Sequence, residues 1–366
     1  MSPKKLSPQM LDNVTVINDS EYYSGIGQYS SDLVESLRYL NYNVHYIHFG
    51  NARGLKGTFT RIDNPFQNFR FSSSLLHPIF FNLFAARRYL QGVVHLTSQF
   101  LIPLGMFRKR TIITVHDLIQ MHYAPRDVFN GTLHILKLEL LDYYEHIVTV
   151  SDFVKRDIIE HFDIEQSKIT VIPNSVDLDI FRSKANTEAR SYTQDKKKVV
   201  ILHVGNDQRN KNVLLLYKVL KLLPDNFSLI RVGTNSYRNV NFLRKNNLLN
   251  RVKFFNRVDA SALVNLYTNS DLFVYPSQSE GFGRPLLEAM ACGLPVIYND
   301  SSSLPEIAGD AGLKFEKEDV NEISELIYKA LDEDINKSLR QKGVKRSEEF
   351  SKTNIRIKMK KLYEGL

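Results

Sequence analysis

Short apolar runs alternate with amphipathic segments along most of the chain. Runs such as 199–204 are apolar at nearly every position, as in strands that are buried on both faces. Segments such as 31–40, with apolar residues three or four positions apart, predict helices between the runs. This alternation predicts an α/β fold with parallel sheets. The predicted strands are 13–18, 44–48, 93–96, 111–115, 146–150, 169–172, 199–204, 227–232, 252–255, 272–275 and 295–298.

The predicted elements fall into two series, each typical of a doubly wound domain. A polar, charge-rich stretch from Ser183 to Lys198 separates the series and indicates a linker or a surface excursion. We therefore expect an N-terminal domain over 1–178 and a C-terminal domain over 179–351. The last segment is amphipathic and no strand follows it, so 352–366 is expected to close the chain as a helix that completes the first domain.

Composition indicates a globular protein with two ordinary cores. The chain has 366 residues, of which 43% are hydrophobic. Cys292 is its only cysteine, which excludes an intramolecular disulfide framework and a Cys-rich zinc site and favours a reducing compartment. Neither a signal peptide nor a run of about 18 apolar residues is evident, so we expect a cytoplasmic protein. The stretches 75–84 and 106–110 would suit either buried packing or peripheral contact with the inner membrane face.

Positive charge is concentrated in the second half of the chain. The formal net charge is +8; up to Ser175 there are 17 Lys and Arg against 16 Asp and Glu, and the remainder has 31 against 24. A basic half can bind phosphates, nucleic acid or an anionic membrane. Composition does not choose between these partners, so the choice depends on motifs.

The segment from Tyr275 to Pro295 combines features of a nucleotide-sugar site. A predicted strand ends near Tyr275, a glycine-containing loop follows, and Pro285 suits the first turn of a helix. The amides at such a helix start attract an anion such as a diphosphate. Glu280 and Glu288, with seven residues between them, would repel phosphate but accept hydrogen bonds from sugar hydroxyls. A ligand with phosphate in the middle and sugars at both ends satisfies both features.

The run EGFGRPLLEAMACGLPVI in this segment closely resembles the signature of retaining GT-B glycosyltransferases of family 4. The resemblance implies two Rossmann-like domains facing across a cleft, with the C-terminal helix crossing back to the first. It also implies that Glu280 contacts the transferred sugar and Glu288 the nucleotide ribose. The remaining donor-binding residues implied by this run are Gly281, Phe282, Gly283 and, through its backbone, Leu286.

A second segment, 203–212, resembles the family loop whose basic residues neutralise the diphosphate. Lys211, followed by Asn212, fits that loop. The position after Gly205, often Arg in the family, is Asn206 here, so Arg209 either supplies a second positive charge or is a solvated loop residue.

Two N-terminal segments extend the resemblance. The turn containing Gly25 and Gly27 after the first strand lacks the third glycine of a dinucleotide fingerprint. It resembles the GT-B loop that closes over the donor phosphate, the alternative being a structural turn. His116, at a strand end, resembles the family histidine that contacts the transferred sugar across the cleft; a structural histidine is the alternative.

These observations predict retaining transfer of a hexose, mannose or glucose, from a GDP- or UDP-linked sugar to a hydroxyl of a glycan or lipid-linked acceptor. Glu280 and His116 are the predicted catalytic residues. We expect no cofactor and no essential metal, because no Asp-x-Asp stands in the donor loops, and no nucleic-acid partner. A GT-B sugar-nucleotide epimerase and a non-catalytic sugar- or phosphate-binding module are the alternatives.

Overall fold

The computed structural model describes residues 11–21, 24–49, 60–62, 90, 92–104, 110–123, 138–182 and 198–366. The chain divides into two compact units: Met1–Pro173 with Ile355–Leu366, and Asn174–Asn354. Three segments named above lie wholly or mostly outside the described residues: 75–84, 106–110 and 183–198.

The first unit contains a parallel sheet. Its described strands are β1 (Leu11–Asn18), β2 (Tyr42–Phe49), β3 (Thr60–Ile62), β4 (Val93–Leu96), β5 (Thr111–Val115), β6 (His146–Thr149) and β7 (Ile169–Val171). They pair in the order β3-β2-β1-β4-β5-β6-β7. Every residue of β4 and β5 is buried, as expected of central strands covered on both faces.

The second unit contains another parallel sheet. Its strands are β8 (Val199–Val204), β9 (Phe227–Val232), β10 (Val252–Phe255), β11 (Leu272–Tyr275), β12 (Val296–Asn299) and β13 (Leu313–Phe315). The order is β10-β9-β8-β11-β12-β13, so the direction of winding reverses between β8 and β11. Ligands of doubly wound sheets bind at the carboxyl ends of the strands beside such a switch point. The predicted α/β, doubly wound fold is thus confirmed in both units.

Helices connect most of the strands. Those of the first unit are α1 (Gly25–Tyr39), α2 (Ile119–His122) and α3 (Asp152–His161). Those of the second are α4 (Leu178–Phe181), α5 (Val213–Leu222), α6 (Tyr237–Lys245), α7 (Ala260–Asn269), α8 (Arg284–Ala291), α9 (Leu304–Ala308), α10 (Val320–Leu331) and α11 (Glu333–Glu348). The closing helix α12 (Lys352–Glu364) is present as predicted, and its residues from Ile355 onward belong to the first unit.

The predicted glycine turn after β1 is wrong. Gly25 and Gly27 lie in the first turn of α1, which begins six residues earlier than the predicted start at Ser31. Ser24 is the N-cap, and its Oγ accepts a hydrogen bond from the Gly27 N–H at 2.9 Å. A serine in this position stabilises a helix start, which the glycines had concealed in the sequence.

Two short strands were not predicted. β3 and β13 have three residues each and lie at the edge of their sheets. An edge strand pairs on one side only, and its apolar pattern is correspondingly short. Among the described helices, none combines the length and the apolar character needed to cross a bilayer.

Candidate functional site

The loops after β8 and β11 meet beside the switch point of the second sheet. Lys211 lies in a short 3-10 helix, Arg209–Lys211, and its Nζ lies 2.5 Å from Glu280 Oε1. Asn210 joins the loops: its Nδ2 donates to the Ser279 carbonyl at 2.9 Å, and its own carbonyl accepts the Gln278 N–H at 2.7 Å. The structure therefore brings together the basic loop and the glutamate that sequence reasoning placed in one site.

Glu280 is buried and held from several sides. Ser277 Oγ donates to the same Oε1 at 2.6 Å. The Glu280 N–H donates to Ser302 Oγ, and Ser303 Oγ donates to the Glu280 carbonyl, both at 2.9 Å. Only 7% of Glu280 is exposed, so its carboxylate is fixed before any ligand arrives.

Tyr275 is buried beside this ion pair and contacts Lys211. Lys211 Nζ donates to its hydroxyl at 3.3 Å and lies 5.7 Å from its ring centroid. Burial, and then the negative charge of Glu280, hold the pKa of Tyr275 well above its usual range. The hydroxyl therefore stays protonated and neutral.

The glycine-containing loop leads into α8 as predicted. Gly283 caps the helix with φ of 93°, and a side chain there would lie 2.7 Å from Leu304 Cδ2. Pro285 is in the first turn, and the Leu286 N–H donates to the Gly283 carbonyl at 3.0 Å. Phe282 is buried against Phe350, with ring centroids 5.7 Å apart. Gly281 completes the loop between Glu280 and this phenylalanine.

Glu288 lies one turn inside α8 and is also buried. The Tyr267 hydroxyl donates to its Oε2 at 3.0 Å, and Arg284 Nε lies 4.0 Å from its Oε1. Burial, and then the charge of Glu288, raise the pKa of Tyr267 well above its usual range. Burial, then the same carboxylate, raise the pKa of Cys292 to about 12, and its Sγ contacts the Phe181 carbonyl in a packing role.

Arg209 differs from Lys211, although both belong to the same short helix. Arg209 is exposed, whereas Lys211 is half-buried against Tyr275 and Glu280. The bonds described around Glu280 involve Lys211 and not Arg209. Its role in donor binding stays a prediction.

In the first unit, His116 is held by residues that sequence reasoning did not single out. Its ring Nε2 lies 2.8 Å from the Thr97 carbonyl, which can only accept, so Nε2 carries a proton. Its N–H donates to Gln99 Oε1 at 3.2 Å, and Tyr29 packs edge-on with ring centroids 4.8 Å apart. His116 follows β5 directly and is 7% exposed.

A chain of buried hydrogen bonds runs from this region to α12. Tyr29 Oη lies 2.9 Å from Thr114 Oγ1, which lies 2.7 Å from His95 Nε2. His95 Nδ1 in turn lies 2.5 Å from Tyr363 Oη. Burial, and then the charge of His116, lower the pKa of His95 to about 3, so its ring is neutral.

A separate group in the first unit could hold a metal ion. His122 Nε2 lies 2.9 Å from Asp157 Oδ2, and His161 Nδ1 lies 3.2 Å from Asp157 Oδ1. Among the described residues, these three are the group of side chains that could hold a metal ion, and no residue of the donor loops belongs to it.

Several supporting residues escaped sequence reasoning because their partners are remote in the sequence. Tyr267 lies 21 positions from Glu288, and Ser302 lies 22 from Glu280. No helical or strand spacing connects such pairs. Tyr267 is the buried residue of α7, and its position in the sequence does not identify the carboxylate that it contacts.

Two protein-family models match the chain. Glycosyl transferases group 1 matches residues 184–350, and glycosyltransferase family 4 matches residues 23–180. The O-antigen chain mannosyltransferase B of Escherichia coli is 30% identical over 297 residues, which cover 76% of this chain and 76% of that protein.

Solved structures support the same fold. Sucrose-phosphate synthase from Thermosynechococcus elongatus has a TM-score of 0.82 at 20% identity, covering 97% of this chain and 99% of the other. Anabaena HepE in complex with UDP and glucose has a TM-score of 0.80 at 16% identity, covering 97% and 100%. At this level of identity the likeness establishes the fold alone.

Proposed function

The chain belongs to the family 4 glycosyltransferases, and on that basis we propose that it transfers a hexose from a nucleoside diphosphate sugar with retention of configuration. The observation that carries the proposal is the 2.5 Å contact between Lys211 and Glu280 beside the switch point of the second sheet. At the bond between a diphosphate and a sugar, a cation is needed to bind the phosphate oxygens. A carboxylate is needed beside it to accept hydrogen bonds from the sugar hydroxyls. Mannose or glucose is the proposed hexose, because the E. coli relative is named a mannosyltransferase and HepE was solved with UDP and glucose.

In the proposed mechanism Lys211 and the amides at the start of α8 stabilise the departing diphosphate. The bond from the sugar anomeric carbon to the diphosphate oxygen breaks, and a bond to the acceptor oxygen forms on the same face. The acceptor proton passes to the diphosphate, which has gained the electron pair of the broken bond. Stabilising the charge that develops on the leaving group is the main contribution of the protein.

The two glutamates have different proposed roles. Glu280 accepts hydrogen bonds from hydroxyls of the transferred sugar and is not a covalent nucleophile, because Lys211 and Ser277 already bind its Oε1. Glu288 accepts from the ribose hydroxyls, and Tyr267 orients it. His116 is proposed to contact a hydroxyl of the transferred sugar.

The proposed acceptor is a hydroxyl of a glycan or of a lipid-linked glycan. Peripheral membrane contact rests on segments outside the described residues and stays a prediction. No cofactor or metal takes part in the proposed transfer.

The test is a thermal-stability screen of the protein with GDP-, UDP- and ADP-sugars. A ligand that binds the folded state raises its melting temperature. We expect a rise with sugars on one base, lost in Glu288→Gln, which keeps an acceptor for Tyr267, and retained in Glu325→Ala on the exposed side of α10. No rise with any donor would contradict the proposal.

Nucleotide release then separates the alternatives. Release of free nucleoside diphosphate only in the presence of acceptor is expected of a transferase. An epimerase would change the sugar without acceptor, and a binding module would do neither.

A further inference from the structure

A buried arginine lies behind the basic loop of the second unit. Arg231, at the carboxyl end of β9, is 0% exposed. Its Nη1 lies 2.5 Å from His203 Nδ1 and 2.9 Å from the Gly205 carbonyl, and its Nη2 donates to the Thr234 carbonyl at 3.2 Å. These partners are all neutral. A buried cation held by neutral groups stabilises a nearby anion strongly, because little water screens it.

Arg231 also fixes the proton of His203. A guanidinium can only donate, so His203 Nδ1 is the acceptor and the ring proton is on Nε2. Burial, then the charges of Arg231 and Lys211, hold the pKa of His203 well below its usual range. His203 is therefore a neutral ring whose one polar hydrogen points away from Arg231.

That hydrogen has no partner in the part of the chain that the structure describes. His203 is 0% exposed, and its Nε2 is a buried nitrogen without a hydrogen bond. Such a group is costly unless something binds it. The orphaned donor thus points to an acceptor that arrives from outside the chain.

The surroundings of the ring indicate where that acceptor enters. A Cβ at Gly205 would lie 3.3 Å from His203 Cε1 and 3.8 Å from Lys211 Cδ, so the glycine leaves a gap between the ring and the lysine. The ring of Tyr275, whose hydroxyl accepts a hydrogen bond from Lys211 Nζ, has its centroid 5.8 Å from that of His203. The gap therefore lies between the cationic side chain of Lys211 and the imidazole ring of His203, which carries the N–H donor.

We propose that His203 is a phosphate-binding residue of this site, whose Nε2–H donates to an oxygen of the donor's diphosphate while Arg231 holds the ring and supplies fixed positive charge behind it. This inference rests on the proposed function, since it names a further contact of the same donor. Lys211 contacts the diphosphate from the loop, and His203 contacts it from the end of β8.

The experiment is calorimetric titration of the full chain with UDP or GDP, whichever base the donor screen identifies, and with the corresponding nucleoside. His203→Phe keeps a ring but removes the donor, and we expect it to weaken diphosphate binding by about tenfold or more, with little change for the nucleoside. His203→Gln places an N–H near the position of Nε2 and should restore most of the affinity. Ile201→Val is the control, because Ile201 is buried on the same face of β8, two residues earlier.

The outcomes separate this inference from the proposed function. Equal diphosphate affinity in the wild type and His203→Phe would overturn the inference and leave the function standing. If His203→Phe weakened the binding of nucleoside and of nucleoside diphosphate equally, the role of His203 would be structural, and the inference would again be overturned. If the wild-type protein binds no nucleoside diphosphate, both fail.

A measurement on the wild-type chain covers the case in which His203→Phe does not fold. Histidine ¹⁵N spectra should show His203 as the Nε2–H tautomer, with an Nε2–H resonance that shifts on addition of the nucleoside diphosphate. A resonance unmoved by saturating diphosphate would overturn the inference.

Discussion

The two units place their candidate residues alike but with opposite chemistry. In both, the residues follow strands of a parallel sheet: Lys211 and Glu280 after β8 and β11, and His116 after β5. The second unit has charges in contact, with Lys211 Nζ 2.5 Å from Glu280. In the first, the histidines contact uncharged groups: neutral His95 contacts hydroxyls, and His116 contacts a carbonyl. A cation suits a diphosphate, whereas the carboxylates beside it and the hydroxyl and imidazole groups of the first unit suit sugar hydroxyls. The fold that the two units share does not by itself separate these roles.

The largest expected effect is on the charged side. Lys211→Ala should lower the transfer rate by about 10²–10³-fold, because it removes a cation that stabilises the departing diphosphate. The measurement is kcat with the donor that the screen identifies. Lys218→Ala, an exposed lysine of α5, is the matched control and should transfer at the wild-type rate. A Lys211→Ala enzyme within a few fold of wild type would show that the charge of the second unit is structural.

A smaller effect is expected on the neutral side. His116→Ala should lower kcat/KM by about tenfold, the cost of one hydrogen bond to the sugar, and leave the affinity for nucleoside diphosphate unchanged. His45→Ala on β2 serves as the control within the same unit. If His116→Ala weakened diphosphate binding as much as transfer, the division of roles between the units would be wrong.

The sequence predicted most of the strands, including the edge strands β7 and β10, and missed the edge strands β3 and β13. The bounds of β4, β5, β8, β9, β10 and β11 match the predicted ones, because short runs rich in apolar residues mark strands. The three-residue edge strands β3 and β13 carry too little pattern, and the start of α1 was hidden because its cap, Ser24, acts through Gly27.

The candidate site was predicted where residues lie close together in the chain. The run from Glu280 to Glu288 is local, so its loop, its helix start at Arg284 and its end before Gly293 could be read directly. Arg231 and His203 are 28 positions apart and are joined only by the pairing of β8 and β9. Sequence spacing carries no information on such pairs.

Tyr363→Phe tests whether the neutral network stabilises the first unit. The substitution removes the hydroxyl that lies 2.5 Å from His95 Nδ1 and leaves that buried nitrogen without a partner. The cost should be about 1 to 3 kcal/mol of the free energy of unfolding. It would appear as a lower melting temperature in calorimetry, with Tyr39→Phe, on an exposed tyrosine of α1, as the control. An unchanged melting temperature would mean that the Tyr363 hydroxyl makes no net contribution to the free energy of unfolding.

Chelation is expected to have the smallest effect on transfer. In the proposed mechanism, Lys211 and the amides at the start of α8 supply the positive charge that stabilises the diphosphate, without a metal ion. The described group able to hold a metal, His122, Asp157 and His161, lies in the first unit. EDTA should therefore leave the transfer rate unchanged, and an ion in the histidine group would affect only the melting temperature of the first unit. The check is the rate after dialysis against EDTA, with Mg²⁺ or Mn²⁺ added back. Loss of transfer that a divalent ion restores would place a metal in the reaction, and the contrast between a charged and a neutral unit would then no longer explain how the diphosphate leaves.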